Sequence, residues 1–72
     1  RQYYFTTTLN LKANEGWKIR PDNTWIDDVG PNQLKYEGVE ASEGNFIVIE
    51  DGSYTIKWYF NKVEEKLVVN KN

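Results

Sequence analysis

Residues 15–30, EGWKIRPDNTWIDDVG, concentrate the residue types that could bind a small ligand. Two tryptophans, Trp17 and Trp25, lie eight positions apart, and amide, carboxylate and cationic side chains surround them. An apolar surface with a few fixed polar groups is the general composition of a small-ligand site. Sugar rings suit such a surface, because their axial C–H bonds stack on aromatic faces while their hydroxyls bond polar groups at the rim.

The two tryptophans differ in their surroundings. Trp17 alternates with Ile19, which predicts a short strand whose Trp17 and Ile19 side chains face the core. Lys18 and Arg20 then point to the opposite side, where spacing alone favours solvated charges and the approach to the next loop allows ligand contacts. Trp25 lies in that loop, and the sequence leaves two interpretations open: it closes one end of the domain, or it presents an exposed platform.

Adjacent carboxylates are the only candidates for catalysis. The chain has no His and no Cys, which removes the usual nucleophile–base triads and the common transition-metal ligands. Glycoside hydrolysis needs two carboxylates that face each other across a cleft, and a β chain of 72 residues is a poor host for one. We therefore predict a protein that is not an enzyme, in which solvated turns explain Asp22, Asp27, Asp28, Glu64 and Glu65.

A calcium site is the other chemistry that this acidic stretch could support. DNTWIDD, residues 22–28, offers hard oxygen ligands. Its spacing does not match a calcium-binding loop, because the third and fifth positions are Thr24 and Ile26. Turn chemistry therefore remains the preferred explanation, and we expect no metal and no cofactor.

The length and the net charge of the chain limit the remaining classes of function and partner. A chain of 72 residues is one domain or a piece of one, and a chain this short buries only about 60% of its unfolded surface. Three Trp, five Tyr and three Phe supply the dense aromatic packing that such a domain needs. The net charge is −2 with interspersed signs, so we expect no nucleic-acid partner. No apolar run is long enough to span a membrane, which leaves only a lipid anchor outside this chain as a means of attachment.

The dominant hydrophobic period is two, which predicts strands. SYTIKWYF (53–60) alternates, NFIVIE (45–50) precedes it across the Asp51–Gly52 turn, and KLVVNK (66–71) completes a hairpin. YYFTTTLNLK (3–12) forms another strand, and WKIR (17–20) a short one. The predicted apolar face of the first strand comprises Tyr3, Phe5, Thr7, Leu9 and Leu11.

The connection over residues 21–44 is broken by Pro, Gly, Asp and Asn and fits no long helix, although LKYEGVEAS (34–42) could hold one short helical turn. Long loops in small domains are often functional. The fold class is therefore all-β, a sandwich of antiparallel sheets.

Two stretches, LKANEGWKIRPDNTW (11–25) and GNFIVIEDGSYTIKWYF (44–60), together resemble segments of the SusE/SusF-type starch-binding outer-membrane lipoproteins. LKANEGWKIRPDNTW (11–25) is similar to the family segment in which L-K-A-G leads to F-K-F-R and then to a loop Trp. GNFIVIEDGSYTIKWYF (44–60) is similar to the family's strand pair with a turn glycine followed by Y-x-I. The family's domains are longer and open with a Trp-containing strand that has no counterpart here. We therefore expect residues 1–72 to be a single β-sandwich domain or the C-terminal part of one that lacks the N-terminal strands.

This resemblance implies an Ig-like β-sandwich that binds starch or a related α-glucan at the cell surface of Gram-negative gut bacteria, on the extracellular face of the outer membrane, or in the periplasm. By this resemblance Trp25 would be the stacking platform. Tyr36, in the same long loop region, is a second candidate platform that we infer from its position rather than from the family. The resemblance implies rim contacts from Lys18 and Arg20, and the polar residues Asn23, Asp27 and Asp28 of the loop are further candidates from composition alone.

The expected function is thus non-catalytic carbohydrate binding. The alternative is a structural Ig-like spacer or assembly domain with no ligand of its own. The unpaired edge strand of a shortened sandwich would be covered by a neighbouring domain or by self-association.

Overall fold

The computed structural model describes residues 4–19, 29–60 and 65–72, and these residues form an all-β structure. Among them there is no helix, and therefore none that could cross a membrane. The all-β prediction is confirmed. The six strands are β1 (Tyr4–Leu11), β2 (Lys35–Glu37), β3 (Glu40–Ser42), β4 (Asn45–Ile47), β5 (Gly52–Phe60) and β6 (Glu65–Lys71).

The strands form two sheets. The larger sheet has the order β1-β5-β6-β2, and the smaller one is the β3–β4 hairpin. β1–β5, β5–β6 and β3–β4 are antiparallel. The hairpin of β5 and β6 confirms the prediction for residues 53–71, whereas β3 was not predicted as a strand. The pairing of β2 with β6 is parallel, a feature that the sequence patterns did not predict.

β5 is the centre of the larger sheet, because its alternation supplies one fully apolar face. Tyr54 and Ile56 are buried, and Trp58 is half-buried against the same core. The β5–β6 register places Trp58 opposite Leu67 and Ile56 opposite Val69, so β6 extends this face. Phe46 and Val48 come from the second sheet and its continuation. The buried core comprises Val39, Phe46, Val48, Tyr54, Ile56, Leu67 and Val69.

The β3–β4 hairpin turns over two residues, Glu43 and Gly44. Both have positive φ, 51° and 81°, as in the type I′ turn that matches the twist of a hairpin. Glycine adopts this conformation freely, whereas in Glu43 it is disfavoured because the Cβ approaches the backbone. The hairpin sets Phe46 into the core and brings β4 against the segment that contains Trp17.

Two predictions of local structure were wrong, and a third, the strand NFIVIE (45–50), is confirmed only for Asn45–Ile47. The predicted strand WKIR (17–20) is replaced, over its described part, by two isolated bridges, one at Trp17 and one at Ile19. LKYEGVEAS (34–42) holds no helical turn and instead contributes β2 and β3. Both differences arise because tertiary pairing, rather than local preference, decides the structure of such short pieces.

The chain passes from β2 to β3 at Gly38, where it lies directly against β6. A Cβ on Gly38 would overlap the carbonyl oxygen of Val69, and the φ of Gly38 is +79°. Only glycine fulfils both conditions. This close approach allows the next residue, Val39, to enter the core.

β1 departs from the expected burial. Its register places Phe5, Thr7 and Leu9 opposite Trp58, Ile56 and Tyr54, so these residues share the face of the sheet that bears the core. Phe5 and Leu9 nevertheless remain 55% and 46% exposed. The predicted apolar face therefore exists from Phe5 to Leu11, with Tyr3 outside the described residues, but the rest of the described structure leaves Phe5 and Leu9 about half uncovered.

Candidate functional site

The loop with most of the predicted ligand contacts emerges from a closed stem. Ile19 and Val29, which flank residues 20–28, exchange two backbone hydrogen bonds of 3.0 and 2.7 Å. Trp17 exchanges a similar pair with Phe46 of β4, at 2.9 and 2.8 Å. The two residues that flank segment 20–28 are therefore held side by side, next to the core.

Five of the predicted site residues lie outside the described residues, so the structure does not test their placement. The exposure of the loop tryptophan, on which the stacking hypothesis depends, stays a prediction. The residues that were weighed and set aside as calcium ligands, within DNTWIDD (22–28), also lie outside the described residues. The site residues concerned are Arg20, Asn23, Trp25, Asp27 and Asp28.

Lys18 is described, and it lies at the base of the loop. Its neighbours Trp17 and Ile19 pack against the core while Lys18 is exposed, which confirms the predicted alternation. Its Cε lies 3.4 Å from the position that a Cβ on Gly30 would occupy, so the aliphatic part of the side chain covers this glycine. A lysine of this kind keeps its ammonium group in water while its aliphatic chain packs against the protein surface. Lys18 is therefore available to bond a ligand at the stem.

Tyr36 lies on β2 and is 39% exposed. Its ring meets that of Phe46 edge-on, with centroids 5.6 Å apart and planes at 80°. Trp17 packs against the same ring at 5.0 Å and 38°. The buried ring of Phe46 therefore contacts both Trp17, which was predicted to face the core, and Tyr36, which was predicted to be a second platform. Edge-on packing fixes the orientation of Tyr36, which a stacking platform requires.

Two shallow concavities lie at the end of β1, and sequence reasoning missed both. Each is smaller than the roughly 300–1,000 Å³ typical of a ligand pocket, so each could admit one small polar group or ring at most. No local pattern signals them, because they form where β1 meets a turn and the start of β5. One, of about 250 Å³, is lined by Asn10, Leu11, Lys12, Glu15, Gly16 and Trp17; the other, of about 280 Å³, by Asn10, Leu11, Lys12, Asp51, Gly52 and Ser53.

The indole N–H of Trp17 is buried and has no hydrogen-bond partner among the described residues. An unmet buried donor costs about 1–3 kcal/mol. The indole N–H of Trp58, by contrast, donates to Glu65 Oε2 at 2.8 Å. The prediction that Glu65 lies in a solvated turn is therefore wrong, because Glu65 begins β6 and accepts this hydrogen bond.

No three carboxylates, histidines or cysteines lie close enough to hold a metal ion within the described parts of the chain. No protein-family model matches this chain, and no curated protein or solved structure matches it either.

Proposed function

We propose that this chain is a non-catalytic carbohydrate-binding module. The observation that supports the proposal best is the closed stem at Ile19 and Val29, with the exposed Lys18 beside it. A loop whose two ends are fixed together loses less conformational entropy when it binds a ligand than one with free ends. The loop holds an aromatic residue, a guanidinium, an amide and carboxylates within nine positions.

The proposed mechanism is stacking with rim hydrogen bonds. One sugar ring lies on the face of Trp25, and its hydroxyls bond Lys18, Arg20 and Asn23, with Asp27 and Asp28 as further acceptors. Tyr36, whose ring is held edge-on by Phe46, offers a second platform. The resemblance to the SusE/SusF-type lipoproteins favours starch or a related α-glucan as the ligand, and the cell surface or periplasm as the location.

The affinity follows from the small number of contacts. One stacked aromatic with a few exposed hydrogen bonds supports a Kd between high micromolar and millimolar, or about 4–6 kcal/mol. Useful retention of a polysaccharide then requires several modules or several binding events on one chain of sugar. A module of this kind positions a substrate and performs no chemistry.

Titration with a maltooligosaccharide such as maltoheptaose, followed by NMR, tests the proposal. We expect shifts at the backbone amides of Lys18, Arg20 and residues 22–28, with saturation in the millimolar range. Trp25→Ala should abolish these shifts while the dispersed spectrum of the folded protein persists. Trp25→Phe, which keeps an aromatic face, should retain part of the binding and serves as the matched control.

Two results would contradict the proposal. One is the absence of any shift at millimolar sugar in the folded chain, also with a panel of other glycans. The other is unfolding by Trp25→Ala, together with a Trp25 indole that a soluble quencher does not reach, since that residue would then be part of the core.

The second candidate function is an assembly or spacer domain with no ligand of its own. The specific observation in its favour is the uncovered apolar face of β1, where Phe5 and Leu9 are about half exposed. The sugar titration separates the two candidates, because an assembly domain shows no shifts around Lys18 whatever its oligomeric state.

A further inference from the structure

The outer edge of β1 is the longest unprotected strand edge in the described structure. β1 is a terminal strand of the larger sheet, and it spans eight residues. Its sequence, YFTTTLNL, contains no charged residue, no proline and no glycine. Proteins usually protect such edges with charges, proline, a bulge or a short strand, because an open edge pairs with other strands. β1 has none of these protections.

The hydrogen-bond pattern shows which backbone groups point to this open edge. Asn72 donates its N–H to the Ser53 carbonyl at 2.8 Å, so Ser53 directs its backbone groups towards β6. Successive residues of a strand alternate in direction, so Tyr54 directs its groups towards β1, where it meets Leu9. The register of β1 with β5 is unbroken, so the alternation continues along β1. The outward-facing backbone groups therefore belong to Tyr4, Thr6, Thr8 and Asn10.

This alternation leaves few ways for β1 to meet another β1. In an antiparallel pair of identical strands, the two-fold axis must pass beside a residue, because outward-facing groups must meet outward-facing groups. An axis at Thr7 pairs Thr6 of each copy with Thr8 of the other, and these residues exchange hydrogen bonds. The same axis places Phe5 of each copy directly opposite Leu9 of the other, on the face that bears the core.

The apolar side chains fit this register. Phe5 and Leu9 are the two large side chains of that face that the described structure leaves about half exposed. Aromatic and aliphatic residues directly opposite each other stabilise a strand pair. Because β1 has no charge, two copies meet without like-charge repulsion. The pairing is thus self-complementary in its hydrogen bonds, in its apolar contacts and in its charge.

We propose that β1 pairs antiparallel with β1 of a second copy of this chain, about a two-fold axis at Thr7, and joins the two larger sheets into one continuous sheet. The occupant of the open edge is a second copy because the same eight residues supply both halves of the match. An interface of one strand pair buries less than the roughly 1,600 Å² of a standard interface. The dimer is therefore expected only at high protein concentration.

Disulfide cross-linking tests the register directly, because the chain has no cysteine of its own. Thr7→Cys places two thiols beside the two-fold axis, where the Cα atoms of a pair without mutual hydrogen bonds lie about 4.5 Å apart. This distance falls within the range that a disulfide accepts. We expect rapid formation of a covalent dimer on mild oxidation, and only slow cross-linking of the control Thr8→Cys. Faster cross-linking of Thr8→Cys would overturn the proposed axis.

Sedimentation equilibrium tests the association itself in the unmodified chain. Between about 1 µM and about 1 mM, we expect the weight-average mass to rise from that of one chain towards that of two. Leu9→Lys places a charge in the proposed interface and should keep the protein monomeric. Ile49→Lys is the matched control, because Ile49 is 74% exposed and lies outside β1. It should leave the association unchanged.

A backbone variant provides an independent check. Thr6→Pro removes an N–H that faces the open edge but none of the hydrogen bonds between β1 and β5, so the fold should persist. Circular dichroism verifies the fold of each variant. We expect Thr6→Pro to lower the association at least tenfold. A protein that stays monomeric to 1 mM, or dimers that Leu9→Lys and Thr6→Pro leave intact, would overturn the proposal.

Discussion

The two edges of the larger sheet are built in opposite ways. β2 is three residues long and bears a charge at both ends, Lys35 and Glu37, whereas β1 is eight residues long and bears none. Glu37 forms an ion pair with Lys66 of the neighbouring strand, with Nζ and Oε1 2.6 Å apart. β1 instead exposes Phe5 and Leu9. Only the β2 edge has the features that prevent a sheet from extending further.

This difference separates two ways in which a small domain completes its core. On the β2 side, the chain passes tightly against β6 at Gly38 and the next residue, Val39, enters the core. On the β1 side, no described segment returns across the face, and the apolar side chains stay half exposed. A domain of 72 residues buries little surface, so an uncovered strand leaves a substantial part of the available stabilisation unused.

The largest expected effect comes from Gly38→Ala, which breaks the protected edge. The added Cβ would overlap the Val69 carbonyl oxygen, and alanine disfavours the φ of +79°. Backbone cannot move aside as a flexible side chain can, so β2 must separate from β6. We expect a loss of about 3 kcal/mol or more in the free energy of unfolding, measured by urea denaturation.

Gly44→Ala is the matched control for that substitution. Gly44 has a similar φ of +81°, but nothing lies within 4 Å of the added Cβ. Only the conformational cost remains, about 1 kcal/mol. Equal losses for the two variants would show that conformation alone, and not the close approach to β6, decides the role of Gly38.

The second prediction concerns hydrogen exchange along β1. In dilute solution, the amides of Thr7 and Leu9, which face β5, should exchange about ten to a hundred times more slowly than those of Thr6 and Thr8. As the protein concentration rises, Thr6 and Thr8 should gain protection if the open edge pairs with a second copy. Exchange followed by NMR over a dilution series measures both effects. Uniform protection of all four amides at every concentration would contradict the open edge.

The long strands were predictable from the sequence because their signal is local. The patterns in residues 53–60 and 66–71 predicted the boundaries of β5 and β6 to within one residue. The alternation in YYFTTTLNLK (3–12) likewise predicted β1. β2 and β3 could not be predicted, because three residues are too few to show a period and both strands are exposed along their length. The parallel pairing of β2 with β6 joins residues about thirty positions apart, which no local pattern encodes.

The candidate site was predictable to a smaller extent. The opposite orientations of Lys18 and Trp17 follow from strand alternation, and the structure confirms them. The contact of Tyr36 with Phe46 joins residues from β2 and β4, and the sequence gives no indication of it. The closed stem was also missed, because the partner of Ile19 lies beyond the loop, at Val29.

The smallest expected effects come from two exposed carboxylates, one anchoring each edge. Asp51 Oδ1 accepts a hydrogen bond of 2.8 Å from the Ala13 N–H, just beyond the end of β1. Glu37 pairs with the side chain of Lys66, and the two side chains are 59% and 40% exposed. The backbone donor is already ordered, whereas the lysine must lose rotamer freedom to make its contact. We therefore expect Asp51→Ala to cost about 1 kcal/mol and Glu37→Gln about 0.5 kcal/mol or less.

Salt separates these two contributions further. The exposed Glu37–Lys66 pair should lose most of its small effect between low ionic strength and about 1 M NaCl, where the screening length falls to about 3 Å. The hydrogen bond of Asp51 to a backbone amide is short and depends less on a distant charge, so the cost of Asp51→Ala should change little. Urea denaturation of both variants at the two salt concentrations measures the difference. A larger loss for Glu37→Gln than for Asp51→Ala would mean that the ion pair, rather than the shortness of β2 and its crossing at Gly38, stabilises the protected edge.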